Sequence, residues 1–524
     1  MKLIKAMVTV GGLTLVSRVA GFVRDLLTAH ILGAGPVADA FFVALKLPNF
    51  FRRVTAEGAF TVSFVPLYSK INEVEGREAS LKFAQGAMGV MAGILIPFTI
   101  IAMLAMPLVM WVLAPGFGDG TTRYELAVLF SRITFPYLLL MSVTALLGGV
   151  LNAHDRFAPF ASAPIFFNMT MVVCLLLTQW LFPTAGHALA WGVTIAGVVQ
   201  LVWVWWCAYR IGIIVKPTMP KLSPHIRQLF RLMVPGIIGA GVVQINLFAD
   251  IVIGSFLPTG AISHLYYADR LNQLPLGTVG IAIGAALLPM LSRAVANDNK
   301  AEVENLFNRG LEACFLLALP AALALALASY PIIAALFSSE KGAFTTGDAI
   351  VTAQVLAGYS IGLPAYIAGK VLATACYARQ DTKTPVIVAG ISVVFNIVVA
   401  LTLVFGFGFG VAGIATATGL AGWVQIGLLY YILQQRKHLH FDERFRRVMP
   451  RILFASTAMA VVVYALGHGL HDNFTSGGIL RLASLGALVG GGGMVYLAII
   501  FATGALTLTE IKAYFKKTPP QQNA

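Results

Sequence analysis

Charge is what this chain has least of. Only 11% of its 524 residues are charged, while 58% are hydrophobic, and no polar stretch between apolar runs is long enough to fold as a soluble domain. Cysteine is nearly absent as well. Cys174, Cys207, Cys314 and Cys376 all lie in apolar runs without paired or metal-type spacing, so the sequence encodes no disulfide framework. The nine histidines form no metal pattern, and there is no G-x-x-x-x-G-K-[ST] loop. No Ser or Cys stands in a recognisable nucleophile context either, and together these absences argue against ATP hydrolysis by this chain. The apolar run after Lys2 and Lys5 could pass for a signal peptide, but it continues through Arg18 and Arg24 to Leu32 without a convincing small-residue cleavage site, so it is expected to be a retained first helix.

What is present is a chain of membrane length. Fourteen stretches, from about 4–32 to about 479–503, are long enough to span a bilayer, which predicts an all-α polytopic membrane protein. The first, second, seventh and eighth of these are the most polar. With the N-terminus placed inside, twenty-five Lys and Arg fall in inner loops and tails, and three (Arg123, Lys341 and Arg481) in outer ones. That asymmetry puts both termini in the cytoplasm. Topology and anionic lipid then account for the basic loops, and no nucleic-acid partner is implied.

The remaining eight cations lie inside spans: Arg18, Arg24, Lys46, Arg52, Arg53, Arg132, Arg270 and Lys370. Each costs about 2.5–3.5 kcal/mol at bilayer depth, so it needs water, protein or a ligand to face. The acids at similar depth are Asp25, Asp39, Glu57, Asp250 and Asp269, leaving a net cationic interior. Within 36–70, Asp39, Lys46 and Arg53 recur every seven residues, with Asn49 and Arg52 beside that line. Two readings stand: an ion-paired packing face, or a hydrated pocket for an anion. The second is favoured, because guanidinium forks on several helices suit phosphate oxygens. Candidate substrate-binding residues are therefore Arg18, Arg24, Arg52, Arg270, Asn49, Arg53, Lys46 and Lys370, with Arg132 structural. Asp25, Asp39, Glu57 and Asp269 are candidates for gating or charge pairing, Asp25 beside Arg24 and Asp269 beside Arg270. Asp250 is the candidate for cation coupling, with ion pairing as its ordinary alternative.

The chain also repeats itself. Residues 23–42 align without gaps on 248–267, VPLYSK (65–70) on LPMLSR (288–293), and Asp155 with Pro159 on Asp381 with Pro385. These anchors predict two parallel six-helix lobes related by a pseudo-two-fold axis, at 1–220 and 221–440, with substrate between them. Residues 441–524 add two further helices and a cytoplasmic tail. The glycines at 486 and 490–493 suit close helix approach, or a groove for a lipid tail.

Four strings carry a resemblance: GAGPVADAFFVALKLPNFFRRVTAEGAFTVSFVPLY, SRVAGFVRD, YYADRLNQLPLGTVGIAIGAALLP and YARQDTKTPV. They resemble the MurJ (MviN) lipid II flippases of bacterial cell-wall synthesis, in the multidrug/oligosaccharidyl-lipid/polysaccharide exporter superfamily. The string P-N-x-x-R-R-x-x-A-E-G-A-F is specific to that family, and the likeness covers essentially the whole chain. The resemblance implies fourteen helices, with two lobes alternating between inward-open and outward-open states. It implies cavity arginines at Arg18, Arg24, Arg52 and Arg270, and a groove for the polyprenyl tail on the last helix pair. Some members bind sodium in the second lobe, and Asp250 falls in about the corresponding helix.

The implied function is flipping undecaprenyl-pyrophosphoryl-MurNAc(pentapeptide)-GlcNAc from the cytoplasmic to the periplasmic leaflet of the bacterial inner membrane. No cofactor is implied; Na+, H+ or the membrane potential are the candidate drives. Lipid II, membrane lipids and cell-wall synthesis enzymes are the implied partners. The alternative within transport is export of another anionic lipid-linked saccharide or of drugs. An intramembrane transferase would need a catalytic set for which only Glu57 and His30 are loose candidates. A scaffold has no reason to keep eight intramembrane cations.

Overall fold

A hydrocarbon core leaves backbone N–H and C=O groups no water to bond, so a spanning chain satisfies them within helices. The computed structural model describes residues 2–53, 60–338, 342–475 and 478–507, and among these every regular element is helical. Among the described residues, ten helices are long and apolar enough to cross a membrane: Arg77–Leu104, Thr122–Ala153, Ala158–Leu176, Ala185–Arg210, Lys300–Leu327, Thr346–Tyr377, Lys383–Gly406, Gly410–Gln435, Glu443–Gly469 and Ile479–Ala502. Outside that set stand the polar helices Lys2–Leu32, Pro36–Phe51, Thr61–Val74, Pro224–Ser255 and Ala261–Ala296. These are the elements that hold most of the intramembrane charge.

The internal repeat is written in the backbone. Arg77–Leu104 and Lys300–Leu327 match at both ends with an offset of 223, and both contain a proline (Pro97, Pro320) before a break at Ala105 and Ala328. Ala185–Arg210 and Gly410–Gln435 match at an offset of 225. The loop bonds agree with the latter. Arg156 N donates to Leu151 O at 2.9 Å as Asp381 N donates to Cys376 O at 3.0 Å. Left-handed residues recur in step, Asp155 and Gln380 both at φ 60°, and Gly212 and Lys437 at 73° and 54°. The sequence pairing of Asp155 with Asp381 is therefore one residue out of register. Two matching letters drew it there, whereas the helix ends and loop bonds align Asp155 with Gln380 and Arg156 with Asp381.

One crossing shows how the two repeats meet the same packing demand. Gly419 lies so close to Gly358 that a Cβ on it would stand 2.7 Å from the Gly358 carbonyl oxygen, and Gly362 faces the Gly419 backbone. Small residues permit this approach between Thr346–Tyr377 and Gly410–Gln435. At the corresponding positions of the first repeat, the Thr194 hydroxyl donates to Ile133 O at 2.5 Å. A side-chain hydrogen bond there replaces glycine-to-glycine contact.

By packing, the chain forms two compact units, residues 1–264 with 341–345, and 265–340 with 346–524. Units and repeats do not coincide. The helix Pro224–Ser255 belongs to the first unit, where the Phe248 ring meets Phe50 at 4.6 Å and the His225 ring meets Phe83 at 6.2 Å. The first unit's core includes Phe64, Tyr68, Phe83, Leu146 and Val150; the second's includes Leu291, Phe307, Cys314, Leu363 and Leu429. The last two long helices join the second unit through polar ties. Arg309 bonds Glu312 and Asp442, Asp442 caps Glu443–Gly469 by accepting from Phe445 N at 2.7 Å, and Tyr496 OH donates to Leu316 O at 2.6 Å. Gly492 meets Val463 and Gly491 meets Leu466, while Gly486, Gly490 and Gly493 face open space.

Candidate functional site

The first helices of the first unit hold most of the candidate residues. A tight turn joins Lys2–Leu32 to Pro36–Phe51: Gly33 has φ 69°, and Pro36 supplies a preset first helical residue. Ala343 N donates to His30 O at 2.8 Å and fixes the turn from outside.

Arg24 and Asp25 form one group. The Arg24 side chain is 11% exposed and that of Asp25 7%, which at this depth demands pairing. Arg24 donates to Asp25 Oδ1 from Nε (3.1 Å) and Nη2 (2.7 Å), and to Asn168 Oδ1 from Nη1 (2.9 Å). Asn168 in turn donates to Ser17 O at 3.0 Å, and the guanidinium lies 5.7 Å from the Phe167 ring. Gly21 leaves room for this arrangement, because a Cβ there would stand 3.3 Å from Asn168 Nδ2. The positive charge is thus fixed in place by three protein bonds.

Asp39 is fully buried and has a different setting. Its carboxylate accepts from Gly260 N (2.7 Å), Ser263 N (2.9 Å) and Ser263 Oγ (2.7 Å), capping the start of Ala261–Ala296. A carboxylate there satisfies orphan N–H groups and complements the helix dipole. Arg123 Nη1 stands 3.6 Å from it and donates from Nη2 to Ser255 O at 2.9 Å, with its guanidinium 4.1 Å from the Phe117 ring. Gly116 N donates to Ser255 Oγ at 3.0 Å. The turns at 33–36, 115–121 and 255–261 are thereby tied together at one end of the unit.

Farther along the same helix, Arg52 donates to Asn49 Oδ1 at 3.2 Å. Lys46 and Arg18 are half-buried and Arg53 is exposed. Glu57 lies outside the described residues. Asp250 is half-buried near the end of Pro224–Ser255. In the second unit, Arg270 lies 4.7 Å over the Tyr266 ring, and Asp269 accepts from Gln273. Lys370 runs along Ala261–Ala296 at Gly280, where a Cβ would meet its amine at 3.0 Å. Arg132 donates to Met103 O at 2.9 Å. Among the described residues, no three His, Cys, Asp or Glu come together as a metal site.

Asn168 and Arg123 are the participants that sequence reasoning passed over. Asn168 is a lone amide in the apolar helix Ala158–Leu176, and that isolation among apolar residues was the available signal. Arg123 stood among only three outer cations, and that rarity was its signal.

Comparison with known proteins adds the family context. The sequence profile described as "Lipid II flippase MurJ" matches residues 28–484. A protein of Rhizobium meliloti (strain 1021) named "Probable lipid II flippase MurJ" is 40% identical over 523 residues, covering 99% of this chain and 97% of the relative. A Vibrio cholerae protein of the same name is 34% identical, covering 98% of each. Among solved structures, "Lipid II flippase MurJ, inward closed conformation" superposes with TM-score 0.77 at 26% identity, over 94% of this chain and 97% of that one. An inward-facing MATE-family multidrug resistance transporter superposes with TM-score 0.66 at 15% identity, over 83% of this chain and 97% of that one, a likeness of fold alone.

Proposed function

The chain belongs to the MurJ family of lipid II flippases, and from that premise we propose how its own residues move the headgroup. It is a membrane transporter of lipid-linked peptidoglycan precursor rather than an enzyme. The physical problem is a headgroup of sugars, peptide and diphosphate that cannot cross hydrocarbon unaided. In our reading, arginines on membrane helices replace part of the diphosphate's hydration while the polyprenyl tail stays in lipid. The observation that carries this reading is that Arg18, Arg24 and Arg52 stand on or at the end of two adjoining helices whose other residues are mostly apolar.

Arg24 is already engaged by Asp25 and Asn168. Its role is then a fixed positive potential, or exchange of the carboxylate for phosphate, whereas Arg18, Arg52 and Arg270 supply further contacts. Asn49, Lys46, Arg53 and Lys370 complete the proposed basic lining. Asp25 and Asp269 tune it, Asp39 holds one gate closed through the Gly260–Ser263 cap, and Glu57 and Asp250 are assigned to charge pairing and cation coupling.

The wider architecture belongs to the same proposal: fourteen spans, two six-helix lobes that alternate in access, an added helix pair, and both termini in the cytoplasm of a bacterial inner-membrane protein. The matched helix bounds of the two repeats support it, as does the strong bias of Lys and Arg to one side. Differential affinity for headgroup in the two states must supply direction. A membrane potential negative inside favours outward movement of an anion by about 2.3 kcal/mol per charge per 100 mV.

The test is complementation. In cells depleted of the native protein, Arg18→Ala, Arg24→Ala, Arg52→Ala and Arg270→Ala should each insert normally, fail to support growth and let unaltered lipid II accumulate. Lysine at Arg52 or Arg270 should rescue in part, because a point charge lacks the bidentate fork. Normal growth with two or more of the alanine variants would overturn the assignment.

A further inference from the structure

The two repeats act as controls for each other at the loops that follow Thr122–Ala153 and Thr346–Tyr377. In the second repeat, Asp381 accepts from Thr384 N (3.0 Å) and Oγ1 (2.5 Å), and Arg436 Nη1 closes an ion pair at 2.5 Å. The loop is thereby fastened to the end of Gly410–Gln435. The corresponding loop of the first repeat has the same backbone bonds and the same left-handed residue, yet its charges differ. Arg156 stands where Asp381 does, and Ile211 stands where Arg436 does.

The ion pair has no counterpart there. Instead, Arg156 and Arg210 line a recess of about 1260 Å³ together with Thr9, Phe157, Trp203 and Trp206. Among the described residues, neither arginine has a carboxylate partner. Asp155 also lines the recess, and pairs with neither. The Arg210 guanidinium lies 4.9 Å from the Trp206 ring. Trp203 forms a fixed wall, donating from Nε1 to Ser162 Oγ (2.9 Å) and Pro159 O (3.2 Å).

The surroundings identify the level in the membrane. Trp205, Trp206 and Tyr209 are exposed on the last turns of Ala185–Arg210, and such aromatic clusters sit at the headgroup boundary. We propose that this recess binds an anionic phospholipid of the surrounding bilayer. Its phosphate would be held by Arg156 and Arg210 where the second repeat uses its own carboxylate, and its glycerol and upper acyl chains would lie against Trp203 and Trp206. A phosphate diester supplies the missing anion, and amphipathic indoles suit the region just below it. The proposal is independent of the substrate path, and its test does not read flipping.

The test uses the full-length protein, purified and stripped of lipid. It is titrated with phosphatidylglycerol, and separately with phosphatidylcholine, and bound lipids are counted by native mass spectrometry. The expected result is one phosphatidylglycerol bound at least tenfold more tightly than phosphatidylcholine, with the preference lost in Arg156→Gln/Arg210→Gln. Arg156→Asp/Ile211→Arg, which transplants the second repeat's pair, should lose it as well. Arg436→Gln, which removes a cation already paired with Asp381, should retain it. Undiminished preference in both double variants overturns the site. Equal loss in Arg436→Gln would mean that net charge alone governs binding, which also overturns it. Full displacement of the bound lipid by millimolar inorganic phosphate would assign the recess to a free anion and overturn the lipid reading.

Discussion

Asp39→Ala probes the buried cap most sharply. Asp39 is fully buried and accepts from Gly260 N, Ser263 N and Ser263 Oγ at 2.7–2.9 Å. Alanine leaves two backbone N–H groups without an acceptor, at about 1–3 kcal/mol each, or roughly 2–6 kcal/mol together. It also breaks the contact with Arg123 at 3.6 Å, and removing one partner of a buried pair costs about 3–5 kcal/mol. The two ranges overlap, so the size of the loss cannot separate the causes. A second substitution can. Arg123→Ala removes the pair but leaves both N–H bonds to Asp39 in place. Asp39→Ala made in the Arg123→Ala background should therefore still cost at least about 2 kcal/mol, since only the helix cap remains to be lost. The assay is equilibrium unfolding in mixed micelles with rising SDS fraction, for all four proteins of the cycle. If Asp39→Ala costs less than about 1 kcal/mol without Arg123, the carboxylate serves the arginine alone and the capping account is wrong.

Other contacts give further expectations. A cysteine pair at Ala34 and Thr259 should crosslink under mild oxidation, because the neighbouring Gly260 lies with its Cβ direction 3.7 Å from Ala34 O. The bridge should stop lipid II flipping until reduced, and full activity with it quantitatively formed would refute a gate at these turns. Gly419→Val drives a side chain into the Gly358 carbonyl and should destabilise by about 1–3 kcal/mol or more, whereas Thr194→Ala loses one hydrogen bond and should cost about 1 kcal/mol. Asp381, in the loop before Lys383–Leu401, is held well below the usual carboxylate range by the Thr384 hydroxyl and N–H and then by Arg436. Its contribution is present above the unfolded-state value near pH 4 and is lost as pH falls below that. Thermal melts should accordingly show Asp381→Asn less stable than the parent at pH 7, with the gap narrowing in acid; a gap independent of pH would refute the assignment.

Much of this was readable from the chain because bilayer physics is written locally. Apolar length and period mark a helix without knowledge of its neighbours, so the helical class and the ten apolar helices are legible. The tight turn at Gly33–Pro36 is equally local. Pairings across the chain are not. Asp39 meets Gly260 and Ser263 from over 220 positions away, and nothing in either segment's period names the other. Asn168 looks like an isolated polar residue until the fold places it against Arg24. The repeat was visible as matching letters, yet its register at Asp155 needed the helix ends, because two coincident residues cannot outvote a run of hydrogen bonds.

The most direct test of the account is the position of the lipid II headgroup in the membrane. Cells carry the Ala34→Cys/Thr259→Cys protein as their sole copy, and an impermeant reagent that modifies only outward-facing headgroups is added before and after oxidation. The account predicts that oxidation makes lipid II accumulate chemically unaltered and inaccessible, and that reductant restores access. Lipid II that stays accessible to the external reagent while the bridge is fully formed would contradict the claim that this protein carries it across.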